Sequence, residues 1–189
     1  MIFVLSGPSG SGKTTLLEKL LRDKILKKKL ARSISFTTRP RRSGERDGRD
    51  YFFLSLKQFE AKRRAKKILE WTKYLGYYYA TPKDFVHRQI ENARHLALCL
   101  DLKGALKIKR YFPKDTVLIF VSAPSLKALH ARISGRCSRT KTEEIKKRLK
   151  LARQELLSRR QYDYCVVNKN LAQATGVLKK IVLKEINSH

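Results

Sequence analysis

The sequence of 189 residues is short of the residues that several classes of protein require. It has three cysteines, Cys99, Cys137 and Cys165, which lie far apart and form no C-x-x-C pair. An odd, scattered set of this kind argues against a disulfide framework and against a zinc site. We therefore expect Cys99 and Cys165 to be core residues inside strands.

Long apolar runs and a basic leader are also missing. No run approaches the roughly 20 residues that a helix needs to cross a bilayer. The first residues, 1–4, carry no positive side chain, and the strand that they begin is needed by the motif that follows it. We expect a cytoplasmic protein without membrane contact. Internal repeats, low-complexity segments and interdomain linkers are absent from the sequence too, which favours one compact domain.

Acidic residues are scarce beside basic ones. The chain has 16 Asp and Glu against 44 Lys and Arg, a net charge of +28. Such a field attracts polyanions, whether nucleotides or nucleic acid. Basic clusters occur at 24–29 and 62–67, but charge runs alone specify no geometry, so solvated faces are the favoured interpretation of both. Weak, salt-dependent binding of polyanions is compatible with this charge.

One segment organises what is present. Residues 7–14, GPSGSGKT, directly follow the apolar run Ile2–Leu5 and fit G-x-x-x-x-G-K-[ST], the phosphate-binding loop between a strand and a helix. Its glycines let successive backbone N–H groups point at a phosphate, and the start of the helix adds partial positive charge. Lys13 would reach the β- and γ-phosphates, and the Thr14 hydroxyl would hold magnesium. The sequence therefore predicts a nucleotide-binding protein.

The rest of the chain alternates short β-type runs with helical patterns, which predicts an α/β fold whose parallel sheet has helices on its faces. Between 51 and 80, predicted strands at 51–54, 68–74 and 77–80 follow one another without long helices, which indicates a small antiparallel lobe inserted into the α/β core. Further strands are predicted at 96–100, 116–121 and 165–167. Helices are predicted at 13–21, 56–64, 82–93, 126–133, from 142 and at 171–186, with a mobile cationic loop at 135–141.

A second set of polar residues indicates a second phosphate site. Residues 33–45 and 48–53 supply hydroxyls, guanidiniums and a tyrosine within a short stretch, and the arginine fork matches phosphate oxygens bidentately. Further on, Glu70 lies between Leu69 and Trp71 in an apolar stretch where a carboxylate needs a partner. Because the chain has few acids, its placement is informative.

With these motifs the chain resembles the guanylate kinases over nearly its whole length. The specific ones are S-x-S-x-T-T-R at 33–39, G-x-Y-Y-x-T at 76–81, and Y-D-Y at 162–164 leading to Asn168. The resemblance implies a P-loop NTPase fold: a mostly parallel sheet flanked by helices, with an inserted small β-rich GMP-binding lobe and a helical lid. It divides the single domain into a core (about 1–32, 82–124 and 156–189), the lobe (about 33–81) and the lid (about 125–155).

The activity that the resemblance implies is transfer of the γ-phosphate of MgATP to GMP, giving ADP and GDP in purine nucleotide metabolism. The residues that it assigns to ATP are Gly7, Pro8, Ser9, Gly10, Ser11, Gly12, Lys13, Thr14, Thr15, Arg132 and Asn168, with Thr14 also on the metal. Those assigned to GMP are Ser35, Arg39, Arg42, Tyr51 and Tyr79 for the phosphate, Glu70 and Thr81 for guanine, and Asp101 near the nucleoside. The catalytic set is Lys13, Arg42, Arg136 and Arg148, with Arg139 as an additional lid cation.

The chain departs from the family at Cys99, where members usually carry a second aspartate, two positions before Asp101, that helps to organise magnesium. A neutral thiol cannot accept hydrogen bonds from metal-bound water as a carboxylate does. We therefore expect reduced but real activity. The alternatives are a guanylate-kinase-like binding module that has lost catalysis, and a nucleic-acid binder, for which the sequence has no RNA-binding signature. A monomer and a homodimer are both compatible with the sequence.

Overall fold

A computed structural model of the protein describes residues 1–135 and 142–188. Its strands are β1 Ile2–Ser6, β2 Leu30–Arg32, β3 Phe36–Thr37, β4 Phe52–Phe53, β5 Ile68–Tyr74, β6 Tyr77–Pro82, β7 His95–Cys99, β8 Thr116–Ser122 and β9 Tyr164–Val167. Its α-helices are α1 Lys13–Leu21, α2 Leu26–Lys29, α3 Leu56–Arg64, α4 Lys83–Glu91, α5 Leu102–Tyr111, α6 Leu126–Ser134, α7 Thr142–Leu157 and α8 Leu171–Asn187, and Ser158–Gln161 is a 3₁₀ turn. Within the described ranges, no helix is long and apolar enough to cross a membrane.

The main sheet is parallel throughout, in the order β2-β7-β1-β8-β9. Because alternate residues of a strand face opposite sides, Phe3 and Leu5 of β1 pack in one buried cluster and Ile2 and Val4 in another. Helices α1 and α8 cover the first face, and α4 and α5 cover the second. This confirms the predicted parallel sheet between layers of helices, and it leaves the carboxyl ends of β1, β7 and β8 at one edge.

A second sheet, in the order β4-β3-β6-β5, forms a smaller layer with its own core around Phe36, Phe59 and Ala80. Strands β5 and β6 form an antiparallel hairpin that turns at Leu75 and Gly76, both with positive φ. The prediction of a purely antiparallel lobe is wrong for one pair, because β3 and β4 run parallel. The loop between them brings the chain back to the end of the sheet at which β3 begins, so that β4 runs in the same direction.

Three other local expectations need correction. Cys165 is exposed rather than a core residue, because β9 is an edge strand whose outward side chains meet solvent. Cys99 is only partly buried, although it packs against the core. Helix α5 was not predicted; it begins directly after Asp101, whose carboxylate accepts from the N–H of Gly104 at 2.8 Å and caps it. Apart from Gly135, the predicted loop at 135–141 lies outside the described residues.

Candidate active site

The phosphate-binding loop joins β1 to α1 at the carboxyl edge of the main sheet. Three of its glycines have positive φ: 128° at Gly7, 86° at Gly10 and 96° at Gly12. A Cβ at Gly7 would lie 2.1 Å from the backbone oxygen of Val121 on β8. Only glycine fits there, because both the backbone conformation and the space exclude a side chain.

Lys13 is the first residue of α1 and points back across the loop. Its Nζ donates to the backbone oxygens of Gly7 at 2.6 Å and Pro8 at 3.0 Å. The side chains of Thr14 and Thr15, in the first turn of the same helix, are exposed. The loop therefore presents a helix N-terminus, one ammonium and two hydroxyls to a single volume, which is the arrangement that an anion needs.

Asn168 and Arg132 join the loop from distant parts of the chain. The Asn168 side chain, which is buried, donates from Nδ2 to the backbone oxygen of Ser11 at 2.9 Å. Arg132 on α6 donates to the backbone oxygen of Asn168 at 2.9 Å. With Gly10, Gly12, Thr15 and Leu171 they line a groove of about 560 Å³. Asn168, predicted to contact the ATP adenosine, and Arg132, predicted to be a lid arginine over the donor phosphates, therefore both lie beside the loop.

Arg148 connects helix α7 to the same loop. Its guanidinium donates to Ser9 Oγ at 2.9 Å and to Glu144 Oε1 at 3.0 and 2.6 Å. Glu144 precedes it by one helical turn and orients it. One of the predicted lid arginines is thus placed over the phosphate loop, while Arg136 and Arg139 lie outside the described residues.

Arg39 is the centre of the predicted acceptor-phosphate cluster. It is 9% exposed, and one of its nitrogens donates to both carboxylate oxygens of Glu45, at 2.7 and 2.9 Å. Burial disfavours both charges, but their pairing outweighs it, so the pKa of Glu45 is lowered and that of Arg39 is raised. The Arg39 guanidinium lies 5.5 Å from the centroid of the Tyr51 ring, which contacts the Tyr79 ring at 6.0 Å.

Ser35 and Arg42 are attached to this cluster through the backbone. The Ser35 carbonyl accepts from Phe52 N–H at 2.9 Å, and the Arg42 N–H donates to Glu45 Oε2 at 2.9 Å. The Arg42 side chain is exposed. Glu45 therefore holds the Arg39 side chain and the Arg42 backbone, a role that sequence reasoning missed.

The predicted base-reading residues converge from three elements. Glu70 on β5 is 2% exposed and accepts from Thr81 Oγ1 on β6 at 2.6 Å. A Cβ at Gly104, at the start of α5, would lie 2.7 Å from Glu70 Oε2 and 3.3 Å from Asp101 Oδ1. Glycine at 104 thus lets α5 approach the carboxylate, a requirement that the sequence did not reveal.

The charge of Glu70 is finely balanced. Burial raises its pKa to about 7; the Thr81 hydrogen bond opposes this rise, Asp101 adds to it and Lys107 opposes it. The carboxyl therefore titrates at a higher pH than an exposed glutamate does. A ligand that donates hydrogen bonds to it would favour the ionised form, so this pocket is suited to a base with paired N–H donors.

Two further residues lie between the loop and the base pocket. Burial raises the pKa of the Cys99 thiol, which the charges of Lys13 and Arg32 oppose. Burial also raises the pKa of Glu155 on α7; the charge of Lys13 opposes this rise and the charge of Asp101 adds to it. Sequence reasoning missed Glu155; its one signal was a spacing of seven from Arg148, which puts both on one helix face.

The residues present fit magnesium held together with a nucleotide, not a protein cage. Among the described residues, no group of three or more His, Cys, Asp and Glu could hold a metal. Magnesium is usually held by one or two protein oxygens together with substrate phosphates and water. The exposed Thr14 hydroxyl at the start of α1 meets that requirement.

Comparison with known proteins gives a consistent result. A family model described as guanylate kinase matches residues 1–185. Guanylate kinase of Halalkalibacterium halodurans is 40% identical over 98% of this chain and 88% of its own length. That of Caldanaerobacter subterraneus subsp. tengcongensis is 40% identical over 98% and 87%. The crystal structure of guanylate kinase from Anaplasma phagocytophilum has a TM-score of 0.81 at 28% identity, covering 98% of this chain and 85% of that one.

Proposed function

The chain belongs to the guanylate kinase family. We propose that the two ends of its site bind the two substrates of one reaction, ATP at the phosphate loop and GMP at the smaller sheet. The protein is an ATP:GMP phosphotransferase that produces ADP and GDP. It has the mostly parallel α/β fold of a P-loop NTPase. The roles of individual residues, the metal and the division into lobes are the proposed part.

At the donor end, the loop from Gly7 to Thr15 would hold the ATP phosphates with its N–H groups and with Lys13. Asn168 would border the adenosine and Arg132 would close over the donor phosphates, which the groove that both residues line supports. Thr14 would hold magnesium, which when bound neutralises phosphate charge. Phosphoryl transfer needs such positioning and charge stabilisation more than covalent chemistry.

At the acceptor end, Arg39 and Arg42 would take the GMP phosphate, with hydroxyls from Ser35, Tyr51 and Tyr79. The contact of Arg39 with both Glu45 and Tyr51 supports this, because it fixes the guanidinium before the ligand arrives. A preordered fork loses little entropy when it binds a dianion.

The observation that carries the choice of base is the buried Glu70 carboxylate. It has one hydrogen-bonded oxygen, on Thr81, and a second that faces Gly104 and Asp101. Guanine offers N1–H and N2–H₂ as adjacent donors, whereas adenine would leave the ionised carboxylate unpaired. Glu70 and Thr81 would therefore read guanine, with Asp101 beside the nucleoside.

Closure of the lid (about 125–155) and the lobe (about 33–81) on the core (about 1–32, 82–124 and 156–189) would complete the site. Arg148 already contacts Ser9, and Arg136, outside the described residues, would join it. Their charges would stabilise the transferring phosphoryl group, while closure excludes water that would hydrolyse ATP.

The proposed compartment is the cytoplasm. Cys99 and Cys165 are free thiols, as expected in a reducing environment.

The test is ADP formation from MgATP with GMP, AMP, UMP or CMP as acceptor, with Lys13→Ala as the blank. We expect turnover with GMP, and loss of the preference for GMP over AMP in Glu70→Gln. Turnover with GMP that keeps its preference in Glu70→Gln would refute the role of Glu70. Efficient turnover with another acceptor in place of GMP would refute the whole acceptor-site assignment.

A further inference from the structure

A second groove lies between α3, β5, α4 and α5. It measures about 500 Å³, and we call it the basic groove. Trp71 borders it and directly follows Glu70 on β5, so the two side chains face opposite sides of the strand. Trp71 therefore faces away from the Glu70 carboxylate. None of the roles assigned to the nucleotides uses the basic groove.

The charge of the basic groove is of one sign. Its lining includes Arg63 at the end of α3, Lys66 in the loop after it, Lys83 at the start of α4 and Lys107 in the middle of α5. Among the described residues, no Asp or Glu lines it. Arg63 is paired with Glu60 at 2.7 Å. In the part of the chain that the structure describes, no ion pair forms at the three lysines. Folding thus gathers cations that the sequence placed far apart.

Aromatic rings accompany these cations. Trp71 is 36% exposed and Tyr111 is 60% exposed, large fractions for rings of that size. The Arg63 guanidinium lies over one face of the Trp71 ring, 5.5 Å from its centroid. Exposed rings beside cations are the combination that proteins use to stack bases while neutralising phosphates.

We propose that the basic groove binds single-stranded nucleic acid, with phosphates at Lys66, Lys83 and Lys107 and bases on both Trp71 and Tyr111. The groove volume is within the range of roughly 300–1,000 Å³ that holds small ligands, so it would accommodate one or two nucleotides of a longer strand. Unpaired bases are free to stack on a ring, whereas the bases inside a duplex are already stacked on one another. The net charge of +28 would draw the remaining phosphates along the surface.

Trp71 is the only tryptophan of the chain, so its fluorescence reports directly on this groove. Titration with a ten-nucleotide oligouridylate at about 150 mM salt should give saturable quenching that excess ATP and GMP do not reverse. Lys66→Glu/Lys83→Glu should weaken binding about 10- to 30-fold and reduce the salt slope by about 1.4, because each phosphate that a lysine neutralises contributes roughly 0.7 to the slope. Lys107 is left unchanged because its charge reaches Glu70.

The matched control is Lys27→Glu/Lys28→Glu on α2, two exposed lysines with the same change in charge. It should alter affinity less than 3-fold. Equal losses in the two double variants would overturn the proposal in favour of a general charge effect. So would quenching that ATP and GMP abolish, since that would place the strand in the active site. Thermal unfolding of both variants checks that each is folded.

Stacking has its own test. Tyr111→Ala removes an exposed ring and should weaken oligouridylate binding about 5-fold, without changing the affinity for inorganic polyphosphate. Equal weakening of both ligands, or of neither, would overturn base stacking. A strand that binds by fluorescence anisotropy but leaves Trp71 emission unchanged would refute the groove as its site.

Discussion

The two ends of the active site are built in different ways. The donor end is made mainly from the backbone of one continuous segment, whose glycines at 7, 10 and 12 fix the direction of its N–H groups. The acceptor end is made from side chains: Arg39 paired with Glu45, and Glu70 held by Thr81. The first depends on the backbone conformation of one loop, whereas the second depends on contacts between side chains that lie six and eleven residues apart in sequence.

This difference has an electrostatic consequence. The donor end offers the fixed dipoles of the loop and helix N-terminus together with the Lys13 ammonium. The acceptor end contains the Glu70 carboxyl, whose pKa burial raises to about 7. We therefore expect the affinity for GMP to change with pH in this range.

The largest effect should come from Lys13→Ala at the donor end. Loss of the ammonium that contacts Gly7 and Pro8 removes charge stabilisation from the transferring phosphoryl group, so kcat should fall about 1,000-fold. ADP formation at saturating substrates measures it. The control is Lys19→Ala, an exposed lysine on the same helix, which should retain activity. A fall of less than 10-fold in Lys13→Ala would contradict the assigned role.

Glu70→Gln tests the acceptor end. An amide cannot accept from both guanine donors, so the preference for GMP over AMP in kcat/KM should fall about 100- to 1,000-fold, while KM for ATP stays constant. Glu91→Gln, at the exposed end of α4, is the matched control and should keep the preference. An equal change in KM for ATP would show that the two ends are not independent.

Glu70→Gln should lower the preference for GMP but raise the stability of the ligand-free protein at high pH. Because the folded pKa of Glu70 is about 7 and its ordinary value is 4.5, the native state binds the extra proton between these values, and stability falls as pH rises through them. At about 1.4 kcal/mol per pKa unit, the ionised carboxyl costs the ligand-free protein about 3 kcal/mol. Urea unfolding of both proteins at pH 4.5 and 8.5 should show Glu70→Gln gaining that amount relative to wild type at the higher pH. A pH-independent difference would refute the shift.

Glu45→Gln should have a smaller effect, confined to the acceptor end. It leaves the 9%-exposed Arg39 without a counter-charge, which should cost about 1–2 kcal/mol of stability and raise KM for GMP about 5- to 10-fold. KM for ATP should not change. Initial rates with each substrate varied in turn measure both constants, and an unchanged KM for GMP would refute the positioning role of Glu45.

The smallest effect is expected where the two ends meet. Cys99→Asp restores a carboxylate at the end of β7, within reach of the charges of Lys13 and Arg32. It should lower the magnesium concentration for half-maximal rate, or raise kcat, about 3-fold. Cys99→Asn has similar volume without the charge and should match wild type. No change in either constant for Cys99→Asp would mean that the thiol does not limit metal use.

Much of the fold was predictable because its signals are local. Helix α1 and helix α3 begin and end where the patterns predict, and the apolar runs around Val4 and Leu118 became central parallel strands. Errors arose where burial depends on the neighbouring strands. Cys165 lies in an apolar run typical of a core strand, but that strand is at the edge of the sheet. The parallel pairing of β3 with β4 likewise depends on how a loop returns, which no residue type specifies.

The sequence by itself determined the phosphate loop, because positive φ and close packing at Gly7 are requirements of a contiguous backbone that only glycine meets. It also determined the parallel sheet, through apolar runs that must be buried on both faces. Only the tertiary structure decided the ion pair of Arg39 with Glu45, the need for glycine at 104, the charge of Glu70 and the position of Glu155. Burial and charge interactions depend on distances between side chains, and those distances are set only once the chain has folded.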